Sequence, residues 1–211
     1  MYYCIIFSKS KILNLYCQQR GFLFVGCCVE LDKELDMRKL LLIVPQLLLI
    51  GLVFAQDYKA TIIKSPNVIP TEDSRLKLFL GGSIDMGKSE NWQARIEKQL
   101  SNYNVIVLNP RRDDWNKEWK PINTDKNFRK QVEWELSALE ASDIVVMYFA
   151  PGSQSPISLL EFGLYAKTGK LIVLCPDGFW RKGNVDIVSE KYNISTVNTF
   201  NELIVELKKL L

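Results

Sequence analysis

Histidine is absent from all 211 residues of the sequence. Ser-His-Asp catalysis, Cys-His catalysis and nearly all zinc sites need imidazole as a base or as a ligand. The sequence therefore excludes these classes of site. Any acid–base or nucleophilic chemistry must use carboxylates, tyrosine, lysine, serine or cysteine.

Cysteine is scarce as well, and neither sign of charge is in excess. Cys4, Cys17, Cys27 and Cys28 lie in the first 28 residues, and Cys175 stands alone in the remainder. This distribution offers no set of metal ligands, so we expect no metal. There are 27 basic and 24 acidic residues and no long basic run. A nucleic-acid partner is therefore not expected.

A long apolar run begins near Met37, in "MRKLLLIVPQLLLIGLVFAQ". A basic pair, an apolar stretch and a small residue before glutamine are the layout of a secretory signal, so we predict a signal peptide over 37–55 and a secreted protein. The run is short for a membrane span and is broken by Pro45. A membrane anchor over 40–55 is the alternative. We expect residues 1–36 to be an extension outside the fold, with Met37 as the initiator.

An alternation of strands and helices organises the rest of the chain. Residues 56–74 are mostly polar and suit a linker or irregular arm, followed by a domain over 75–211. Apolar runs predict five buried strands, at 76–80, 105–108, 143–149, 171–175 and 194–197. Helices are predicted over 88–101, over 128–141, from Pro156 onward and over 200–211. This pattern predicts an α/β doubly wound parallel sheet, a flavodoxin-like or Rossmann-like three-layer sandwich with strand order 2-1-3-4-5.

A ligand site is expected where the order of the strands reverses, beyond the carboxyl ends of the first and third strands. The segments there are "GGSID", "NPRRDDW" and "APGSQSPISLLE". With one acid on the helix before the third strand, the candidate substrate-binding residues are Gly81, Gly82, Ser83, Asp85, Asn109, Arg112, Asp113, Asp114, Trp115, Glu135 and Ser155. The segments contain no G-x-G-x-x-G fingerprint, and no acid ends the second strand, so we expect no dinucleotide and no other cofactor.

Most of these candidates also have a purely structural interpretation. The glycine pair suits a tight turn, Asp85 suits a helix start, and Glu135 suits an exposed helix face. The "NPRRDDW" segment suits a solvated charged loop. The tryptophan beside its carboxylates favours a pocket for a sugar or a base.

One acid, Glu161, lies inside the apolar segment "SPISLLEFGLYAK". If the helix begins at Pro156, helical spacing places Ile157, Leu160 and Leu164 on one face with Glu161, and we expect this stripe to pack against the core. Glu161 is too late in the helix for a capping box and has no basic residue three or four positions away. It is either a glutamate at the edge of the sheet or a nucleophile or base in a partly dry pocket.

Several motifs in order resemble the nucleoside 2-deoxyribosyltransferase-like family, in particular its branch with the "NPRR-DDW" loop. They are "LGGS", "NPRRDDW", "QVEWEL", "SDIVVMYF" and "SPISLLEFGLYAKTGK", which together span about residues 76–195. The resemblance implies a glutamate that attacks the anomeric carbon; the family's E-x-G-x-x-A pattern assigns it to Glu161, and the acid on the preceding helix to Glu135. Phe79 stands where well-studied transferases carry a tyrosine, and Ser155 where they carry an aspartate.

The family resemblance leaves three functions to separate. The leading expectation is transfer of the deoxyribosyl group of a 2′-deoxynucleoside to another base through a glutamyl–sugar intermediate. The alternatives are hydrolysis of a deoxynucleoside or deoxynucleotide, and a non-catalytic nucleotide- or sugar-binding module. The implied partners are the small-molecule substrate, a free base and a second copy of the chain, since family members often form homo-oligomers.

Overall fold

The computed structural model describes residues 4–9, 12–19, 22–25, 29–30, 58–84, 90–116 and 118–211. The chain divides into two compact units, Met1–Gln56 and Asp57–Leu211. The predicted signal peptide lies outside the described residues. Nowhere in the described part does a helix have the length and hydropathy needed to cross a membrane.

The described part of the first unit contains four short antiparallel strands. They are β1 (Cys4–Lys9), β2 (Ile12–Gln19), β3 (Phe22–Val25) and β4 (Val29–Glu30). Strand β2 pairs with each of the other three. That residues 1–36 form an extension outside the main fold stays a prediction.

The second unit is a parallel sheet with helices between its strands. The strands are β5 (Thr61–Lys64), β6 (Leu76–Gly82), β7 (Val105–Asn109), β8 (Ile144–Tyr148), β9 (Leu171–Leu174) and β10 (Ser195–Val197). The helices are α1 (Trp92–Leu100), α2 (Lys126–Ala141), α3 (Pro156–Tyr165), α4 (Lys182–Tyr192) and α5 (Phe200–Leu210). The strand order is β10-β9-β8-β6-β7-β5, and every pairing is parallel.

The predicted α/β doubly wound class is confirmed, and the five predicted strands have the predicted order 2-1-3-4-5 as β7-β6-β8-β9-β10. A sixth strand, β5, comes from the segment predicted as a linker. It pairs Thr61 with Ile106 and Lys64 with Asn109 along the edge of the sheet. β-Branched residues in "TIIK" suit a strand, but four residues between polar stretches give no detectable period.

Apolar side chains cover both faces of the sheet. Along β6, Leu78 and Leu80 enter one core and Phe79 enters the other, as the alternation of a strand requires. Helices α1 and α5 pack on the first face, and α2, α3 and α4 pack on the second. Because all six strands are parallel, the loops that follow β6, β7 and β8 meet at one edge, and this edge is where the candidate site is assembled.

Helix α3 packs with a different face from the one expected. Ile157 and Leu160 are each 60% exposed and Leu164 is 58% exposed, whereas Glu161 and Phe162 are buried. The expectation that the apolar stripe packs against the core is therefore wrong. Residues on both sides of α3 recur at helical spacing and both sides are apolar, so the period alone does not select the buried face.

Helix α4 was not predicted at all. It has a glycine at its second position, and Val185 and Ser189 are its buried residues. This sparse pattern lacks the apolar stripe from which a helix is recognised in a sequence. A left-handed residue, Asn193, ends the helix, and its backbone N–H reaches back to the carbonyls of the last turn.

Candidate active site

The loop after β6 depends on two glycines for close packing. Gly82 has φ +139°, and a Cβ there would overlap the carbonyl oxygen of Tyr148. A Cβ on Gly81 would lie 2.9 Å from Met147 Sδ. Without side chains at these positions, the Ser83 N–H reaches the Tyr148 carbonyl at 2.8 Å. The glycine pair therefore lets β6 approach β8 and positions the residue that follows.

Ser83 belongs to a buried cluster of three hydroxyl groups. Its Oγ lies 2.9 Å from Ser153 Oγ and 2.6 Å from Ser155 Oγ, and the latter two are 2.9 Å apart. The Ala150 N–H donates to Ser83 Oγ at 2.9 Å. The cluster joins the "GGS" segment to the start of α3, as expected for two parts of one site. Ser153 was not among the predicted residues, although it lies in the same "PGSQSP" loop.

Ser155 precedes α3 in an unusual conformation. Its φ is 44° and its ψ is 52°, in the left-handed region, and its side chain makes no capping hydrogen bond to the helix. The hydroxyl turns instead to the serine cluster. Asp85, the predicted residue at the end of the "GGSID" segment, lies outside the described residues.

The "NPRRDDW" loop is shaped by its own polar side chains. The Asn109 amide nitrogen donates to Glu97 at 2.6 Å, and its oxygen accepts from the Arg111 N–H at 2.8 Å. Arg112 makes a two-pronged ion pair with Asp114, at 2.8 and 2.7 Å. Beside this guanidinium, the pKa of the Asp114 carboxyl is lowered. Asn109 thus has a structural role, and Arg112 is held in place.

The remaining predicted residues of this loop form an exposed rim. Asp113 is 81% exposed and receives a hydrogen bond from Lys64 Nζ at 2.9 Å. Trp115 is 43% exposed and packs edge to face on Trp119, with 5.1 Å between ring centroids. The guanidinium carbon of Arg112 lies 4.9 Å from the centre of the Trp119 ring. Trp115 and the half-buried Trp119 thus form an aromatic surface at the loop, and the largely buried side chain of Arg112 packs against Trp119.

Gln131 connects the loop to Glu135. It is buried on α2, and its Nε2 donates to the Pro110 carbonyl at 3.0 Å and to Glu135 Oε1 at 2.8 Å. Its Oε1 accepts from Ser65 Oγ at 2.6 Å and, at 3.4 Å, from Arg112. The sequence analysis missed Gln131. Its one signal was the spacing of four residues from Glu135, which places both side chains on the same helix face.

Glu161 is a buried carboxyl group on α3, with 8% of its surface exposed. Burial, and then the nearby charge of Glu135, raise its pKa to about 8. Burial also raises the pKa of Glu135, while the hydrogen bond from Gln131 lowers it. Within the described part of the chain, no hydrogen bond reaches the Glu161 carboxyl. The two glutamates that were singled out separately are thus near enough for the charge of Glu135 to act on Glu161.

Phe79 lies in the core with no exposed surface. Phenylalanine has no hydroxyl to offer Glu161, and this ring belongs to the core on the sheet face covered by α2, α3 and α4. No group of three or more cysteines and acids suited to a metal is present among the residues that the structure describes. A cavity of about 390 Å³ lies between the segment after β5 and α2, and its lining includes none of the predicted site residues.

Fold and site together define a class of protein: a doubly wound parallel α/β domain with one buried and one half-buried glutamate on the helices that flank its third predicted strand. Residues 75–179 match the family model described as nucleoside 2-deoxyribosyltransferase like, and the chain belongs to that family. The match contains the "NPRRDDW" loop, Glu135 and Glu161. Membership associates the chain with glycosyltransferase- or hydrolase-like chemistry on small nucleosides.

Eight chains of solved structures also match. One is a conserved protein from Enterococcus faecalis V583, which is 16% identical, with a TM-score of 0.48 over 65% of this chain and 100% of that chain. No curated protein matches the sequence.

Proposed function

We propose that this protein moves the deoxyribosyl group of a 2′-deoxynucleoside from one base to another, through a covalent ester on Glu161. The observation that carries the proposal is a buried carboxyl group with a second carboxyl group beside it, in the helix that has the family's E-x-G-x-x-A pattern. Family membership supports nucleoside chemistry in general. The specific reaction and the role of Glu161 belong to the proposal.

The chemistry needs no metal and no histidine. The bond between C1′ and the base nitrogen breaks through an oxocarbenium-like state, which a carboxylate captures as a glycosyl ester. A second base then attacks the same carbon from the face that the first base left, so the configuration is retained. One carboxyl group acts as the nucleophile, and the second is free for proton transfer once burial has adjusted its pKa.

The direct test is base exchange. The full chain is incubated with deoxyinosine and adenine, and we expect deoxyadenosine and hypoxanthine as products. Glu161→Ala should abolish the exchange. Glu133→Gln is a matched control, because it changes an exposed acid on α2 that pairs with Arg129 outside the site. Absence of exchange with every pair of bases would reject the proposed reaction.

Hydrolysis of a deoxynucleotide is the second candidate, and the serine cluster favours it. Ser83, Ser153 and Ser155 bring three hydroxyl groups to the start of α3, and the N-terminus of a helix is suited to an anion such as a phosphate. This reaction would release free sugar or sugar phosphate without an acceptor base. Product analysis with deoxynucleosides and deoxynucleotides side by side distinguishes it from exchange.

Binding without turnover is the outcome that would remove both reactions. Phe79 has no hydroxyl to orient Glu161, and this departure is the one that most favours a binding module. Calorimetry would then show that Glu161→Gln binds nucleosides as the unchanged chain does, with no product from either protein.

The location and the assembly of the protein are separate proposals. We propose secretion through a signal at 37–55, and N-terminal sequencing of the natural protein should begin after Ala55. A sequence that begins upstream of Met37 would reject that signal. We also propose a homo-oligomer, and light scattering on the purified protein should give a mass above that of one chain.

A further inference from the structure

The side-chain amide of Gln131 uses its whole hydrogen-bonding capacity. An amide of this kind has two N–H donors and two acceptor lone pairs. The donors go to the Pro110 carbonyl at 3.0 Å and to Glu135 Oε1 at 2.8 Å. The lone pairs accept from Ser65 Oγ at 2.6 Å and from Arg112 Nη1 at 3.4 Å. With only 3% of the residue exposed, water does not compete for these groups.

The surroundings of Gln131 permit a single orientation of this amide. If the amide were flipped, its NH₂ group would face the Arg112 guanidinium, which has no acceptor. Its oxygen would then face the Pro110 carbonyl oxygen and the Glu135 carboxyl group. The contact with the Pro110 carbonyl would be repulsive in either case, and the contact with Glu135 would be repulsive unless Glu135 were protonated. The loop after β7 and the end of β5 therefore dictate that Gln131 presents a donor to Glu135.

A donated hydrogen bond favours the ionised form of a carboxyl group. Glu135 receives one from Gln131, whereas Glu161 receives none from the residues that the structure describes. Other titratable groups near the pair are Tyr165, one turn further along α3, and Arg112, on the far side of Gln131. Glu161 is buried and Glu135 is half-buried, and Glu135 is also the one that a neighbouring donor stabilises as an anion.

We propose that Gln131 is a positioning residue: its locked amide holds Glu135 as the ionised member of the glutamate pair, so that the single proton of the resting pair resides on Glu161. The consequence for catalysis rests on the proposed deoxyribosyl transfer at Glu161. The placement of the proton does not depend on which reaction the protein performs.

The first half of the transfer needs a glutamate pair that carries a single proton. When substrate binds, the proton passes from Glu161 to Glu135. A Glu161 oxygen then forms a bond to C1′ as the bond from C1′ to the base breaks. The electron pair of that bond goes to the base nitrogen, which takes the proton from Glu135. The pair carries one negative charge before and after, and the base leaves neutral.

The other two protonation states would not support this step. A doubly protonated pair has no carboxylate to accept the proton of Glu161, and an ionised pair has no acid for the leaving base. Gln131 thus matters because it keeps Glu135 ionised in the resting pair, so that Glu135 can take the proton of Glu161 when substrate binds and hold it for the leaving base. This arrangement also links the "NPRRDDW" loop to the reacting groups, through Arg112.

The placement of the proton can be measured without any reaction. Carboxyl ¹³C signals are recorded on the full chain with labelled glutamate, and Glu135→Gln and Glu161→Gln assign the two signals. At neutral pH we expect the shift of an ionised carboxyl group at Glu135 and that of a protonated one at Glu161. A protonated Glu135 beside an ionised Glu161 would overturn the proposal, and this measurement needs no change at Gln131.

Variants of Gln131 then test the cause. In Gln131→Met we expect the proton to move to Glu135, so that the Glu161 signal takes the ionised shift. Gln131→Asn is one methylene shorter, keeps the amide and should give the same direction if the methionine variant does not fold. The control Glu133→Gln should leave both signals unchanged. The proposal would be contradicted if a folded Gln131 variant gave the same Glu135 and Glu161 signals as the unchanged chain.

Kinetics add a second, separable readout. For Gln131→Met we expect the acidic limb of kcat/KM to move to higher pH, because Glu135 loses the hydrogen bond that favours its ionised form and the inactive, doubly protonated pair persists to higher pH. We expect kcat to fall by about tenfold, with KM within about twofold, because Glu135 is no longer held in position to pass the proton to the base. A merely structural role would lower activity without moving that limb. If the unchanged chain exchanges no bases, the proposed deoxyribosyl transfer is rejected. The carboxyl signals still test the role of Gln131 in that case.

Discussion

The acids of the "NPRRDDW" loop and the glutamates of α2 and α3 have the same functional group and opposite environments. The side chain of Asp114 is 67% exposed, and the Arg112 guanidinium lowers its pKa. Glu161 is 8% exposed, and burial with the charge of Glu135 raises its pKa to about 8. In sequence the loop is the more conspicuous of the two, because it concentrates charge beside an aromatic residue.

The difference shows what makes a carboxyl group suited to chemistry. An exposed acid with a guanidinium partner is already stabilised as an anion and gains little by reacting. A buried acid without a hydrogen-bond donor retains a reactive oxygen and can exchange a proton near neutral pH. We therefore assign the chemistry to Glu135 and Glu161 and a rim position to the loop acids. The predictions below test this division.

Removal of the nucleophile should have the largest effect. In Glu161→Ala, base exchange should fall by at least about a thousandfold, because the covalent route is lost. Chromatography of the bases and nucleosides after incubation measures this loss. Exchange within tenfold of the unchanged chain would show that another residue carries the sugar.

The stability of the protein should depend on pH through the same residue. The pKa of Glu161 is about 8 in the fold against 4.5 for an ordinary glutamate. Between these values the folded state binds more protons than the unfolded state, so the free energy of unfolding falls as pH rises. The loss is complete above pH 8 and amounts to about 5 kcal/mol at most.

Glu161→Gln should remove this dependence, since glutamine does not titrate. Denaturant unfolding at pH 5 and pH 8 should show that the variant gains stability relative to the unchanged chain as pH increases. If the free energies of unfolding of the variant and the unchanged chain differed by the same amount at both pH values, Glu161 would not be held protonated in the fold.

Loss of the neighbouring charge should have an intermediate effect. In Glu135→Gln, the pKa of Glu161 should fall, because one of the two causes of its increase is removed. The acidic limb of kcat/KM, which Glu135 sets in the unchanged pair, should move to higher pH because Glu161 alone now sets it, and kcat should fall by about a hundredfold as the proton relay is lost. If the acidic limb stayed in place, we would conclude that Glu135 and Glu161 do not interact electrostatically.

The loop acids should have the smallest effect. In Asp114→Asn, the ion pair with Arg112 is weakened, but the pair lies near solvent, and we expect kcat/KM to change by less than about fivefold. The pH profile should keep its acidic limb. A large loss, or a shift of that limb, would place the loop acid among the reacting groups.

The sequence predicted the sheet because buried parallel strands have continuous apolar runs. It did not predict β5, which is an edge strand of four residues, or α4, which buries little. It identified Glu161 as an anomaly, yet it assigned the wrong face of α3 to the core, because both faces of that helix are apolar. Periodicity identifies an element better than it identifies the direction in which the element packs.

The sequence named both glutamates of the proposed site but not the contacts around them. Glu135 and Glu161 came from family motifs, but their pairing depends on how α2 and α3 pack. Gln131 was missed because its role comes from four partners on separate segments, and no local pattern records them. The serine cluster likewise forms only when two loops meet at the sheet edge.

The covalent sugar on Glu161 is the claim most open to direct measurement. The full chain is mixed with a deoxynucleoside in the absence of an acceptor base, quenched and digested, and its peptides are analysed by mass spectrometry. We predict an added deoxyribosyl group on Glu161, in the peptide that contains "SPISLLEFGLYAK", and none in Glu161→Gln. A deoxyribosyl group on Glu135, or base exchange with no modified peptide, would contradict the assignment.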